Sequence, residues 1–359
     1  MSAVLSEVEC PRPALQDDIA VVLLGTGKVG GAFLQLLRTR AGAKLRLVGA
    51  ANSRYQKTTP AELAEWRLRE RLDAGGEIRD NRGLLRALHA SPAAARVVID
   101  ATASGHLAAC HPEWLAAGCH VVTANKALAG GTLHGWHALH AACNSRARYG
   151  DSATVGAGLP ALSTLRRLCQ CGDPPSRIEG VFSGSLSYLF NQFDGRQPFS
   201  TLLQNACALG YTEPDPRSDL SGEDVARKLL ILARSAGHPL ERAQLDVEGL
   251  VPEALRVVER DMFRARMHEL DESLAARHAQ ATARGCVLRY LARFDAGGKA
   301  RVGLAEVPPE HPAARLSGAD NLFAFTTPRY RNRPLVIQGA GAGSEVTAQA
   351  LLGDILAMA

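Results

Sequence analysis

The chain has 359 residues, 46% of them hydrophobic and 21% charged, a composition that excludes a wholly disordered chain or a membrane-embedded bundle. Its net charge of +5, from 41 Lys and Arg against 36 Asp and Glu, is spread along the sequence, and aromatic residues supply only 5%. A nucleic-acid partner would ask for a concentrated basic stripe with aromatic or groove-reading elements, so none is expected, and the length suits two linked lobes.

The first residues carry Glu7, Glu9, Asp17 and Asp18 and show neither a signal pattern nor a long apolar run, so a cytoplasmic protein without a membrane anchor is expected. Residues 1–17, with Pro11 and Pro13, read as a loose leader. Eight cysteines (Cys10, Cys110, Cys119, Cys143, Cys169, Cys171, Cys207 and Cys286) include no C-x-x-C pair and read as reduced thiols.

From residue 19 the pattern becomes regular. The apolar run 19–24 predicts a buried strand, Gly25, Gly27 and Gly30 form a G-x-G-x-x-G turn, 31–37 has helical spacing, and 45–51 is a second strand. Further strands are predicted over 96–102 and 119–126, with helices at about 60–72, 106–117 and 132–145. Strands alternating with helices predict a mostly parallel sheet covered on both faces, continuing to a boundary near 150. Beyond it, 155–160 is a glycine-rich loop opening a helix, and 183–190 is a strand end entering another. Residues 288–294, 300–307 and 335–338 predict strands, and 344–358 a final helix.

A glycine triplet by itself is a weak signal, but between a strand and a helix each glycine has a task in binding a dinucleotide. The first permits the tight turn, the second lets backbone approach the pyrophosphate, and the third lets helix and strand pack closely. An NAD-selective site usually ends its second strand on Asp or Glu, which accepts from the ribose hydroxyls. Here the stretch is Ala51-Asn52-Ser53-Arg54. With no carboxylate there, and with Arg54 and Lys57 able to pair with a 2'-phosphate, NADP(H) is expected ahead of NAD(H); the alternative is that Arg54 is a solvated surface residue.

Chemistry-bearing residues concentrate in 210–230, GYTEPDPRSDLSGEDVARKLL, an acidic Pro-containing loop running into a helix. Ser221 can cap that helix with Asp224 as its partner, and helical spacing puts Asp224 and Lys228 one turn apart on one face, with Glu213, Asp215 and Asp219 in the loop before them. Such a pair on a surface is worth only a few tenths of a kcal/mol. Two features point elsewhere: Leu229-Leu230-Ile231-Leu232 continues apolar nearly all round, which buries the helix, and Pro214 and Pro216 stiffen the loop.

This segment resembles the signature of homoserine dehydrogenases, and especially the dehydrogenase half of bifunctional aspartokinase/homoserine dehydrogenases. The similarity extends through GTGKVGG, VGAANSR, VIDATAS, HVVTANKALA, TVGAGLP, FSGSLSYLF and GAGAGSEVTAQAL. It implies an NAD(P)-dependent, reversible reduction of L-aspartate 4-semialdehyde to L-homoserine in the aspartate-family pathway to threonine, methionine and isoleucine. By position, Lys228 corresponds to the proton donor and acceptor, Lys126 to a second lysine near nicotinamide and substrate, and Asp219 and Asp224 to carboxylates that hold the substrate and orient Lys228. Glu213 corresponds to the residue that binds the amino acid, with Tyr211 beside it. The cofactor would be lined by Gly25, Thr26, Gly27, Val29, Gly30, Asn52, Ser53 and Arg54, and further by Thr102, Ala103, Ser104, Lys126 and Gly343. The family commonly holds a sodium ion on backbone carbonyls, here those of Val155, Ala157 and Leu159, although many members carry a glutamate where Ser152 stands.

The architecture expected on these grounds is an α/β chain. A Rossmann-type doubly wound parallel sheet spans 18–150, an α+β domain for catalysis and homodimerisation spans 151–325, and a segment from 326 to 359 returns to the first domain. With neither an aspartokinase segment nor a regulatory domain in the sequence, feedback control by threonine through such domains is not expected. Two rivals remain. Aspartate-semialdehyde dehydrogenase would need an activated cysteine beside a base, and a non-catalytic dinucleotide sensor would have no use for both lysines and the acidic positions.

Overall fold

The structure, a computed structural model, describes residues 19–39, 41–59, 63 and 68–358. The expected leader with Cys10, and most of the stretch 60–67 where a helix was expected to begin, lie outside the described residues.

The first sheet is built from β1 (Ile19–Leu24), β2 (Leu45–Ala51), β3 (Tyr55–Thr58), β4 (Glu77–Ile78), β5 (Ala95–Asp100), β6 (His120–Thr123) and β7 (Tyr149–Gly150), in the order β4-β3-β2-β1-β5-β6-β7. All six residues of β1 are buried, as its unbroken apolar run requires of a central parallel strand with helices on both faces. β1 pairs in parallel with β2 on one side and β5 on the other, and β6 and β7 continue the parallel part. The chain thus leaves β1 first to one side and then to the other, opening a crevice at the carboxyl ends of the strands. The short strands β3 and β4 add antiparallel at one edge.

The second sheet contains β8 (Arg177–Val181), β9 (Leu245–Val247), β10 (Val287–Asp295), β11 (Ala300–Val307), β12 (Asp320–Thr326) and β13 (Leu335–Ala340), in the order β13-β12-β8-β10-β11-β9. It is antiparallel except where β9 meets β11. Leu288, Tyr290, Ala292 and Phe294 alternate along β10 and bury against the helices Gly184–Gln192 and Glu223–Ser235, which supply Leu186, Leu189, Leu229 and Ile231.

One expected boundary moves. β13 pairs with β12 over Leu335–Ala340, so the segment after 326 stays with the second sheet. Only the helix Ser344–Met358 returns to the first domain, burying Ala348, Leu351 and Ile355 in the same cluster as Phe33 and Leu37. Where it arrives, Ser152 donates through its backbone N–H (2.9 Å) and hydroxyl (2.7 Å) to Asp354.

Candidate active site

The glycine turn after β1 has the form a dinucleotide needs. Gly25 has φ of +92°, and a Cβ there would lie 2.8 Å from Thr102 Cγ2; a Cβ on Gly30 would collide with the Gly25 carbonyl. Nothing lies within 4 Å of a Cβ built on Gly27, which begins the helix Lys28–Leu36 without a side-chain cap, so the first-turn N–H groups face open space. The cleft in front of them, about 1240 Å³, is lined by Gly25, Thr26 and Gly27, by Asn52, Ser53 and Arg54, and by Thr102, Ala103 and Ser104, nine of the residues expected to hold a cofactor. Four other expected residues are not on its wall. Val29 packs against the domain core, Gly30 backs the turn, Lys126 faces Asp224, and Gly343 accepts from Thr347 at the start of the last helix.

The wall formed by Thr102 and Ser104 is fixed from below by Asp100, which is fully buried. Its carboxylate accepts from Thr102 N (2.9 Å) and Oγ1 (2.7 Å) and from Asn125 Nδ2 (2.9 Å), and it meets His111 Nε2 at 3.0 Å. Asn125 Nδ2 also donates to the Ser104 carbonyl, so one carboxylate sets both the cofactor wall and the residue preceding Lys126.

At the far end of the cleft Asn52 Oδ1 accepts from the N–H groups of Arg54 and Tyr55, a tight turn that presents Ser53 and Arg54. Arg69, Arg79 and Asp73 also line this end, and sequence reading missed all three. Arg79 donates to the Asn52 carbonyl and to Asn81 Oδ1, while its buried Nη2 has no partner among the described residues. Asp73 corrects the premise that no carboxylate is at hand: it arrives 21 residues after Asn52 and accepts from Asn52 Nδ2 at 2.8 Å. Lys57 is not on the wall.

The acidic loop and its helix hold the second half of the site. The helix Glu223–Ser235 begins on Gly222, with φ of +75°. The expected cap by Ser221 with Asp224 does not form: Ser221 Oγ donates to the Ser218 carbonyl and accepts from Glu223 N. Asp224 is engaged elsewhere, because two ammoniums claim it. Lys228 Nζ lies 2.7 Å from Asp224 Oδ2 and donates to the Phe182 carbonyl at 2.7 Å, while Lys126 Nζ lies 3.5 Å from Asp224 Oδ1. Lys228 is only 8% exposed while the Asp224 carboxylate is about half exposed, so the pair has its ammonium inside the protein and its carboxylate at the surface of the site. Burial drives the Lys126 ammonium below its usual pKa range, with the Lys228 and Arg227 charges adding to the effect and Asp224 opposing it. For Asp224, burial works to raise the pKa, but Lys228 and Lys126 together hold it well below the ordinary carboxylate range.

Asp219 plays a different part from the one expected. Its oxygens accept from Ser185 Oγ (2.6 Å) and from the Glu213 backbone N–H (2.9 Å), so it shapes the loop carrying Glu213 and has no bond to Lys228. Burial pushes its carboxyl up, and the Asp224 charge adds to this. Glu213 is exposed at the loop, Tyr211 stacks on Tyr188 with ring centroids 4.2 Å apart, and Asp215 turns to Arg217 at 2.7 Å. Ser183 and Ser185, hydroxyl to hydroxyl at 3.0 Å, open the helix Gly184–Gln192 next to the Phe182 carbonyl. Sequence analysis did not single them out, although the motif FSGS contains them.

The family profile for homoserine dehydrogenase matches residues 160–356, and that for the homoserine dehydrogenase NAD binding domain matches residues 25–149. The chain belongs to the homoserine dehydrogenase family. Members of this family are NAD(P)-dependent oxidoreductases that act on a CH–OH group. A homoserine dehydrogenase of Emericella nidulans is 38% identical over 93% of this chain and 96% of its own length. Bifunctional aspartokinase/homoserine dehydrogenase 2 of Escherichia coli is 42% identical over 94% of this chain, which spans only 43% of that protein. Among solved structures, a Candida auris protein of unknown function superposes with a TM-score of 0.88 at 33% identity, covering 95% of this chain and 98% of that one.

The loop on which homoserine dehydrogenases were expected to hold a cation has an unusual backbone. Gly156 has φ of +80° and Ala157 of +52°, the one non-glycine residue with positive φ among those described. No hydrogen bond among the described residues uses the carbonyls of Val155 or Ala157, whereas that of Leu159 already accepts from Ala161 N at 2.8 Å.

Four of the described cysteines are held away from the thioester chemistry of an aspartate-semialdehyde dehydrogenase. Burial raises the thiol pKa of Cys110, Cys143 and Cys169, and pushes Cys119 to about 11, away from an activated thiolate. Cys119 Sγ does lie 3.8 Å from His89 Nε2, but it precedes β6 and so sits at the opposite end of the sheet from the cleft.

Proposed function

We propose that this chain catalyses the reversible, NAD(P)H-dependent reduction of L-aspartate 4-semialdehyde to L-homoserine, with Lys228 as the proton donor and acceptor. The observation that carries the reading is the Asp224 carboxylate shared by two lysines, one from each domain, with Lys126 following Asn125, which holds the Ser104 wall of the dinucleotide cleft. The cleft fits its cofactor: the turn has no room for a side chain at Gly25 or Gly30, open space in front of Gly27, and an Arg79 guanidinium nitrogen without a partner among the described residues at the end where Arg54 also stands. When bound, the nicotinamide supplies or takes up the hydride. As hydride reaches the aldehyde carbon, charge develops on the substrate oxygen, where an ammonium stabilises it and donates a proton; the reverse reaction uses the same nitrogen as base. Asp224 holds Lys228 in place, Lys126 adds a second positive charge, and Glu213 with the loop propped by Asp219 receives the substrate ammonium.

The aspartate-family route to threonine, methionine and isoleucine is the setting for this reaction, and a cytoplasmic location agrees with seven described cysteines that are all free thiols. No helix among the described residues is long and apolar enough to cross a membrane. Preference for NADP(H) is supported by Arg54, Arg69 and Arg79 around one end of the cleft, with Asp73 as the group that would admit NAD(H). Sodium on Val155, Ala157 and Leu159 is supported by the two uncommitted carbonyls, and loss of activity when choline replaces sodium tests it. Homodimerisation is supported by the half-exposed edge strand β13, and sedimentation of an active monomer would refute it.

The decisive experiment is NADPH oxidation with aspartate semialdehyde by the parent chain and by Lys228→Ala. A loss of about 100-fold or more in kcat with NADPH binding retained is expected. Near-normal turnover refutes the role of Lys228, phosphate-dependent NADP reduction identifies the thioester enzyme instead, and binding without turnover identifies a sensor.

A further inference from the structure

Lys126 stands on a tight turn between β6 and the helix Leu133–Ala142, with Gly130 N donating to the Lys126 carbonyl (2.8 Å) and Gly131 N to that of Leu128 (3.1 Å). This turn lies along the helix Glu223–Ser235 and meets it three times. At the start of the helix Lys126 meets Asp224. In the middle Gly130 is pressed so close that a Cβ would lie 3.0 Å from Arg227 Cβ. Near the end, roughly 15 Å along from Asp224, Arg234 reaches back with its guanidinium. Its Nη1 donates to the Ala129 carbonyl and its Nη2 to that of Gly131, both at 2.9 Å, and its Nε to that of Leu240. The Arg234 side chain has no exposed surface, and Glu241, 3.5 Å from its Nη2, accepts from Leu133 N where the turn ends.

We propose that Arg234 is a positioning residue which, with Glu241, clamps the Lys126 turn onto the helix that carries Lys228 and so sets the spacing of the two ammoniums about Asp224. The contact at 3.5 Å is the looser of the two made by Asp224, and it depends on a turn from the other domain; the tighter one is internal to a helix. The clamp rests on the reading that Lys126 takes part in turnover.

A buried arginine can serve the fold alone, and Arg289 is the internal comparison. It too is buried and gives its donors to backbone carbonyls, those of Ala313, Phe190, Leu288 and Ala314, away from both lysines. Arg234→Met and Arg289→Met are both expected to lower Tm. Only Arg234→Met is expected to lower kcat of the folded enzyme, by about 10-fold or more, with the NADPH Kd little changed, and Glu241→Gln is the milder variant should Arg234→Met not fold. A double-mutant cycle with Lys126→Met reads the mechanism: the Arg234→Met effect on kcat should vanish when Lys126 is already gone, and additive losses overturn the proposal. Amide exchange at Gly130 and Gly131, measured without substrate or cofactor, should accelerate in Arg234→Met; unchanged exchange overturns the clamp. Normal turnover in Lys126→Met would instead refute the catalytic reading, and exchange would still decide the clamp.

Discussion

Lys228 Nζ stands 2.7 Å from Asp224 Oδ2, one helical turn away, which leaves the other oxygen of that carboxylate free for Lys126. Asp224→Asn keeps the shape and removes the charge that holds two ammoniums together. Steady-state kinetics should show kcat falling on the order of 100-fold, about 2.7 kcal/mol of barrier, with the NADPH Kd within a few-fold of the parent. The pH profile carries a sign as well. Asp224 raises the Lys126 pKa against burial, so its removal should move the alkaline limb of aldehyde reduction to lower pH. An unmoved limb would mean that Lys126 does not set that profile.

Cofactor choice should follow the guanidinium groups at the end of the cleft. A charge-assisted hydrogen bond to phosphate is worth about 1.5–3 kcal/mol. Arg54→Ala and Arg79→Met should therefore each weaken NADPH by about ten-fold or more while leaving NADH nearly unchanged. Comparable efficiency with NAD, unaltered in Arg54→Ala, would defeat the NADP(H) preference. Asp73→Asn should cost NADH more than NADPH, because it removes the carboxylate available to ribose hydroxyls.

Gly222 marks a position where a methyl group cannot be tolerated. Its φ is +75°, and a Cβ would collide with the Tyr290 hydroxyl, which is itself held by the Glu248 carbonyl at 2.5 Å. Gly222→Ala should lose at least about 2 kcal/mol from strain and overpacking together. Denaturant unfolding measures this, and an unchanged midpoint would show that the helix start can shift.

Asp354 predicts a pH dependence of stability. Burial, reinforced by the charge of Asp151, raises its carboxyl pKa to about 6 against the Ser152 hydrogen bonds. A carboxyl with a raised folded pKa binds its proton more readily in the folded state than in the unfolded one. Its contribution is thus fully present below the unfolded pKa of 3.8 and is lost as pH rises through about 6, a span worth up to about 3 kcal/mol. Asp354→Asn should accordingly gain Tm relative to the parent between pH 5 and pH 8. A constant or shrinking difference over that range contradicts the shift.

The sequence made some of this site plain and hid the rest for physical reasons. Asp224 and Lys228 could be paired from spacing because a helix imposes a period, and β1 with its glycine turn could be read because each glycine answers a steric demand. Arg234 could not be read, since the carbonyls it grips lie 103 and 105 residues away and carbonyls leave no trace in composition. Ser185 meets Asp219 across 34 residues, and Asp73 enters the cofactor cleft through the packing of the helix Leu68–Asp73 against β3. The Ser221 cap failed because a local rule was applied where Asp224 already had two stronger partners. The boundary at 326 failed because β12 and β13 form a hairpin, and strand pairing is not written in either strand alone.

The chain crosses between its lobes twice, after Gly150 and again ahead of Ser344, and the crossings lie side by side. Ser152 is bonded to Asp354, and a Cβ on Gly158 would sit 2.9 Å from the Val346 carbonyl. Two adjacent crossings, together with the Arg234 grip on the Lys126 turn, fasten the lobes to each other at separate places. The spacing of the two amines about Asp224 is thus a property of that seam as much as of the residues that meet there.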